Sequence, residues 1–197
     1  EHIAVWEKHK YTKEEGKTTS KIENILWTES FESTFHVLMT YASTIYLNQN
    51  DHDRASTVVP YHELRFAQQV QAKYPLHHIE RSSPIMHALR AIKSPLEVAA
   101  MQTACNITDK AFRRVLGFVK PGVWEHEIEA EIIHEFIRNR ATGHAYNPII
   151  ASGPSACVLH YVENNRACKD GDVILLDVAA EYANNASDMT RAIPVNG

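Results

Sequence analysis

Nowhere does this 197-residue sequence approach the roughly 18 consecutive apolar residues of a membrane-spanning helix, and no charged, apolar, small-residue succession marks a secretion signal. Cysteine is scarce. Cys105, Cys157 and Cys168 are odd in number and lack the close spacing of a metal-binding pair, so they read as reduced structural thiols of a cytoplasmic protein rather than a disulfide framework. Positive charge is short as well: 20 Lys and Arg stand against 24 Asp and Glu, a net charge of −4 with the 12 histidines neutral. Nucleic-acid and anionic-membrane surfaces need clustered Lys and Arg to displace counterions, so neither partner is expected. Internal repeats and low-complexity tracts are missing. Two familiar catalytic signatures fail too. His126-Glu127 and His134-Glu135 open like a zinc-protease HExxH, but Ala130 and Arg138 stand where the second histidine must be. The segment 153–157 lacks the second glycine of a nucleophile elbow, and no Ser-His-Asp set is suggested.

What remains is a globular composition, 44% hydrophobic, in a chain long enough for one or two domains. Residues 1–90 read as alternating short α and β elements. A polar arm or surface helix should end near Gly16; strands are expected at 35–39 and 44–47, a helix at 61–73 stopped by Pro75, a strand at 76–80, and a helix opened by Ser83-Pro84. His77-His78 and His87 are not a metal site on this reading, because adjacent strand residues point to opposite faces and no carboxylate recurs at ligand spacing.

A boundary falls near 91–93, giving domains 1–91 and 92–197. Ser94, Pro95 and Glu97 form a capping box with proline at the first helical position, and Leu96, Ala100, Ala104, Ile107, Ala111, Val115 and Phe118 then make an apolar stripe. A second helix over 124–140 carries Trp124, Ile128, Ile132 and Phe136 on one face, with Gly143 as its stop. Strands are expected at 146–152 and 158–162, the latter bringing His160 toward the segment that follows.

That segment, 170–197, reads as strand, turn, strand. Asp170-Gly171 is a turn signal, 173–182 is apolar and rich in β-formers, Asn184-Asn185 marks a tight turn, and 187–195 runs extended. Asp177 and Asp188 then lie on neighbouring antiparallel strands. Whether the turn is centred between residues 182 and 183 or on Asn184-Asn185, an even-length loop keeps both carboxylates on one face. A carboxylate among Ile174, Leu175, Leu176 and Val178 is costly without a positive partner, and a metal ion is one such partner. The plain alternative pairs Asp188 with Arg191 and leaves Asp177 half-exposed at a strand end.

The segment 92–197 resembles the first half of the pita-bread metallopeptidases, specifically the aminopeptidase P (Xaa-Pro aminopeptidase) and prolidase family. The resemblance is carried in order by Lys93-Ser94-Pro95-Leu96-Glu97, Val119-Lys120-Pro121-Gly122-Val123, Tyr146-Asn147-Pro148-Ile149-Ile150-Ala151-Ser152-Gly153, Leu159-His160-Tyr161 with Asn164, Leu176-Asp177, and Ser187-Asp188-Met189-Thr190-Arg191. One departure is Ala179, where the family usually has glycine; a methyl there requires a negative φ.

The resemblance implies an α/β (α+β) chain: part of a creatinase/prolidase-like amino-terminal domain, then the first half of a pita-bread domain. It implies two divalent ions, typically Mn²⁺, with Asp177 binding one and Asp188 bridging both. His160 would hydrogen-bond substrate or the developing tetrahedral species, and Tyr146 would orient a ligand carboxylate. The implied reaction is metal-assisted hydrolysis of peptides with proline in second position, by a homo-oligomer when complete. Prolidase (Xaa-Pro dipeptidase) and a non-catalytic protein-binding module are the alternatives. In this family one His and two Glu from the second half complete the site. Those are not in these residues, so the sequence reads as a fragment that on its own binds Mn²⁺ poorly and hydrolyses nothing.

Overall fold

The computed structural model describes residues 9–49 and 58–196. The chain divides into two compact units, 1–91 and 92–197. Among the described residues no helix is long and apolar enough to cross a membrane.

In the first unit, α1 (Lys13–Ser20), α2 (Phe31–Tyr41), β1 (Thr44–Leu47), α3 (His62–Lys73), β2 (His78–Arg81) and α4 (Ser83–Ala91) follow in order. β1 and β2 pair in parallel, Thr44 opposite His78, as a strand-helix-strand crossover through α3 requires. The small core is Met39, Val70 and Tyr74, with Phe35, Phe66, Ile45 and Ile79 packed around it.

Two expectations fail here. Residues 35–39 are helical, because their apolar side chains belong to a longer every-fourth pattern, Phe31, Phe35 and Met39, that a five-residue window does not reveal. Phe35 stacks on Phe31 at 5.5 Å and meets Phe66 and Tyr74 at 5.8 and 5.9 Å. The first helix also runs through Gly16. It starts at a Thr12/Glu15 capping box, and a Cβ at Gly16 would lie 2.9 Å from Ile25 Cδ1, so glycine here serves a close approach rather than a stop. Of the histidines, His77 shares a 2.8 Å hydrogen bond with the Met39 carbonyl, whereas His78 reaches Glu80 in solvent.

The second unit packs two helices on antiparallel strands. The Ser94/Glu97 capping box opens α5 (Pro95–Leu116), with Ser94 N–H donating to Glu97 Oε2 at 2.7 Å. Its stripe buries from Ala104 onward; Leu96 is exposed. α6 (Glu125–Arg138) buries Ile128, Ile132 and Phe136. It stops before Gly143: Asn139 Nδ2 donates back to the Glu135 carbonyl at 2.8 Å and Arg140 takes φ 67, while Gly143 starts a strand.

Strands β3 (Gly143–His144), β4 (Ile149–Ser152), β5 (Val173–Val178), β6 (Ala180–Tyr182), β7 (Asn185–Ala186) and β8 (Met189–Pro194) form two three-stranded sheets, ordered β4-β5-β8 and β3-β6-β7. Ile174, Leu176 and Val178 alternate toward the helices and join Ile107, Val115, Ile128, Ile132, Phe136 and Ile150 in one core.

The expected long strand over 173–182 is therefore two strands in different sheets, parted at Ala179. The turn is Ala183-Asn184, with φ of 50 and 60, the double positive φ of a type I′ hairpin. This lies between the two placements the sequence allowed. The expected strand over 146–152 is shorter, since Tyr146 lies in a bend and Pro148 has no N–H for a ladder. No strand forms over 158–162. A 3-10 turn, Gly153–Cys157, leads into a further turn holding His160, and Asn164 Oδ1 takes the Ile150 N–H instead.

His144 of β3 packs edge-on against Phe136, ring centroids 5.1 Å apart, with both ring nitrogens buried and unpartnered. Burial holds its pKa below the ordinary value of 6.5, against an opposing pull from Glu129. The unfolded chain then binds the extra proton, so folding stability is full above pH 6.5 and falls as pH drops from there toward the folded-state value. His144→Leu is expected to remove this loss. Urea unfolding midpoints at pH 7 and pH 5 check it; an equal acid-induced drop in variant and parent contradicts it.

Candidate metal centre

Asp177 sits on β5, opposite Ile149 of β4 and Thr190 of β8. Its alternation places it on the face away from the helices, half-exposed, between Leu176 and Val178, which are buried. Desolvation there is smaller than the apolar run suggested. Asp188 is exposed and lies just before β8. Continuing the β5-β8 register sets Asp188 opposite Ala179, two residues from Asp177, so the two acids are diagonal neighbours on one face. Ala179 is buried and outside the positive-φ residues, so its methyl is accommodated.

Tyr146 ties the pair together. Its hydroxyl donates to Asp177 Oδ1 at 2.5 Å and lies 3.0 Å from Asp188 Oδ1. The bend that carries it is fixed by Ala145 N–H donating to the Ala179 carbonyl, at the point where the long hairpin changes sheets. Burial, reinforced by the two carboxylates, pushes the phenol far above its usual range. Tyr146 is therefore a proton-bearing donor at any physiological pH.

A buried hydroxyl pair shapes the same break from behind. Thr108 Oγ1 of α5 and Ser187 Oγ are 2.7 Å apart, and both accept from Ala180 N–H at 3.0 Å. Ser187 adjoins Asp188, so the helix anchors the backbone that presents this carboxylate. No sequence pattern signals it, because a threonine on an apolar stripe looks like ordinary helix packing.

The Arg191 alternative does not form. Arg191 Nη1 donates to the Thr190 carbonyl, and strand parity over three residues directs it away from Asp188. Among the described residues neither aspartate has a cationic partner. Two carboxylates converging on one neutral hydroxyl form an oxygen-rich, negatively charged pair, the donor chemistry of a hard divalent cation such as Mg²⁺, Ca²⁺ or Mn²⁺. The residues present fit such an ion. They do not enclose it: among the described residues no three His, Cys, Asp or Glu side chains cluster at ligand geometry.

His160 is exposed and stands in the turn after the 3-10 segment. Its neighbours are held by groups the sequence did not single out. Glu125, fully buried at the first turn of α6, accepts from Tyr161 OH, Ser152 and Arg166 N–H, and Glu129 accepts from Asn164. A glutamate at a helix start reads as a cap in sequence, and only the fold reveals that it faces inward.

The family model for metallopeptidase family M24 matches residues 99–197. Among curated relatives, the Xaa-Pro aminopeptidase of Escherichia coli K12 is 44% identical over 114 residues, 58% of this chain and 26% of that protein. Human Xaa-Pro aminopeptidase 3 is 40% identical over 113 residues, 57% of this chain and 22% of that protein. Among solved structures, a putative aminopeptidase P from Bacillus anthracis superimposes with a TM-score of 0.91 at 28% identity, covering 99% of this chain and 46% of that one. An Escherichia coli aminopeptidase P variant in complex with substrate gives 0.82 at 29% identity, covering 99% and 44%. The chain thus spans about a quarter of the length of the first curated relative by sequence match, and just under half of the solved chains. Its helices and strands are those of the corresponding part of the aminopeptidase P, pita-bread fold. With the family match covering half the sequence, including both aspartates, this chain belongs to metallopeptidase family M24.

Proposed function

We propose that the protein containing this chain is a metal-dependent aminopeptidase that releases the amino-terminal residue from peptides with proline in second position. The observation that carries the reading is the convergence of Asp177 and Asp188 on the Tyr146 hydroxyl, with no cationic side chain paired to either among the described residues. Residues 1–91 act as the accessory amino-terminal domain and 92–197 as the first half of the catalytic one. Asp177 and Asp188 hold divalent metal, Mn²⁺ in preference, as oxygen donors. Bound there, the metal supplies a nucleophile from water at neutral pH and stabilises developing negative charge.

The protein's own groups do the positioning. Tyr146, protonated throughout, donates to Asp177 and so fixes which carboxylate oxygen remains free for the metal. His160, exposed on its turn, is free to donate toward the substrate carbonyl as charge develops. The substrate's second residue has a tertiary amide and no N–H, so recognition relies on shape and on the free amino terminus. The three unpaired thiols support a cytoplasmic setting.

The test is to assay the complete gene product, loaded with Mn²⁺, against an Xaa-Pro-Yaa tripeptide, the matching Xaa-Pro dipeptide and an Xaa-Ala-Yaa control. Cleavage of the tripeptide with release of the first residue, and neglect of the control, is expected. Cleavage confined to the dipeptide would establish a dipeptidase instead, and no cleavage of either would reject the reading.

A further inference from the structure

We infer that Glu125 and Glu129, one turn apart on α6, are positioning residues that clamp the turn carrying His160. The inference rests on the proposed aminopeptidase reading for its kinetic consequence, but its geometry stands on separate residues. Over 158–166 no strand ladder fixes the backbone. A surface segment with so few main-chain partners drifts unless side chains hold it.

Here the holding is done from inside. Glu125 is fully buried, and its two oxygens face four donors. Oε1 accepts from Ser152 N–H and Ser152 Oγ, both at 2.7 Å; Oε2 accepts from Tyr161 OH at 2.7 Å and Arg166 N–H at 2.9 Å. The backbone adds Glu125 N–H to the Arg166 carbonyl at 2.9 Å. A carboxylate without a cation is expensive to bury, and only a full set of hydrogen bonds together with the amino end of its helix makes it tolerable. Glu129 completes the clamp. Its Oε2 accepts from Asn164 Nδ2 at 2.9 Å, and Asn164, buried with φ 45, also donates to the Pro148 carbonyl at 3.1 Å and accepts from Ile150 N–H at 3.0 Å.

The attachment points are telling. They fall at 161, 164 and 166, the first of them adjacent to His160, and at Ser152, the end of the strand whose start lies opposite Asp177. One buried carboxylate therefore sets both the residue next to the histidine and the strand beside the aspartate. Neither glutamate forms a hydrogen bond with Asp177, Asp188 or His160. Loosening the clamp at its Tyr161 end alone should displace His160 while the Ser152 bonds keep β4, and with it the aspartate pair and its hydroxyl, in place.

The gentlest probe is Tyr161→Phe, which keeps the ring and deletes the hydroxyl's 2.7 Å bond to Glu125 together with its longer contacts to Asn165 Oδ1 and N–H at 3.3 and 3.4 Å; Glu125→Gln is the stronger one. In the full-length, Mn²⁺-loaded protein, Tyr161→Phe is expected to lower kcat on an Xaa-Pro-Yaa peptide by about tenfold or more, the scale of a small misplacement of a reacting group, with KM and bound metal unchanged. The same change made in a His160→Ala background should cost nothing further, because the only group it misplaces is gone. Independently of activity, the His160 ring resonances should shift on Tyr161→Phe. Equal losses in the two backgrounds would reveal a merely structural role and overturn the inference, as would an unchanged kcat with unmoved resonances. A parent protein that cleaves no Xaa-Pro peptide would overturn the aminopeptidase reading alone, and the resonances would still decide the clamp.

Discussion

Asp177→Asn in the complete protein is expected to lower Xaa-Pro cleavage at least about a hundredfold and to remove most of the bound Mn²⁺, while leaving the fold intact. The amide keeps the size of the acid and can still accept from Tyr146 OH, which donates to Asp177 at 2.5 Å. What disappears is one of two negative charges. A hard cation surrenders hydration for anionic oxygen far more readily than for an amide, so the loss falls on the metal and not on the strand. Because Asp177 is half-exposed on the open face of β5, unfolding should shift by no more than about 0.5 kcal/mol. Metal content after dialysis, activity and urea midpoint, measured together, check this. A variant that keeps its metal would show that the carboxylate pair serves some other purpose.

The second large effect is one of stability. Phe136→Ala should destabilise the protein by about 3–5 kcal/mol. Phe136 is completely buried where α6 meets the strands, packed with Ile132, Ile150 and Leu176, and its ring supports His144. Removing the ring forfeits its burial and leaves a void that neighbours in two helices and a sheet cannot all move to fill. It also opens space beside an imidazole that has no hydrogen-bond partner, which tempts water in. Chemical denaturation gives the value. A loss under about 1 kcal/mol would mean that this face of α6 is not core, and the packing of the second unit would need redrawing.

Legibility in the sequence followed the range of the interactions. The two long helices of the second unit could be read because their signals are local: a Ser-Pro-x-Glu start and apolar residues every three or four positions. The common face of Asp177 and Asp188 could be read because alternation and an even loop fix parity whatever the turn's exact centre. Residues 35–39 misled because five apolar-rich residues fit either period, and the choice was made by Phe66 and Tyr74, distant in sequence. The segment around His160 misled differently. Its β-forming residues had an edge to join, but Asn164 Oδ1 takes the Ile150 N–H, Glu125 takes the Arg166 N–H and the Tyr161 hydroxyl, and Glu129 holds the Asn164 side chain.

From the sequence alone came the resemblance to a metallopeptidase fold, which rests on residue identity and near-neighbour spacing, and only through that resemblance the choice of Asp177, Asp188, Tyr146 and His160 as candidate site residues. Tertiary structure alone decided that the hairpin breaks at Ala179, that Tyr146 reaches both carboxylates, and that Glu125 turns inward to hold a loop at Arg166, 41 residues away. Those outcomes depend on which distant groups can satisfy one another's hydrogen bonds at the same time, and a linear pattern carries no record of that competition.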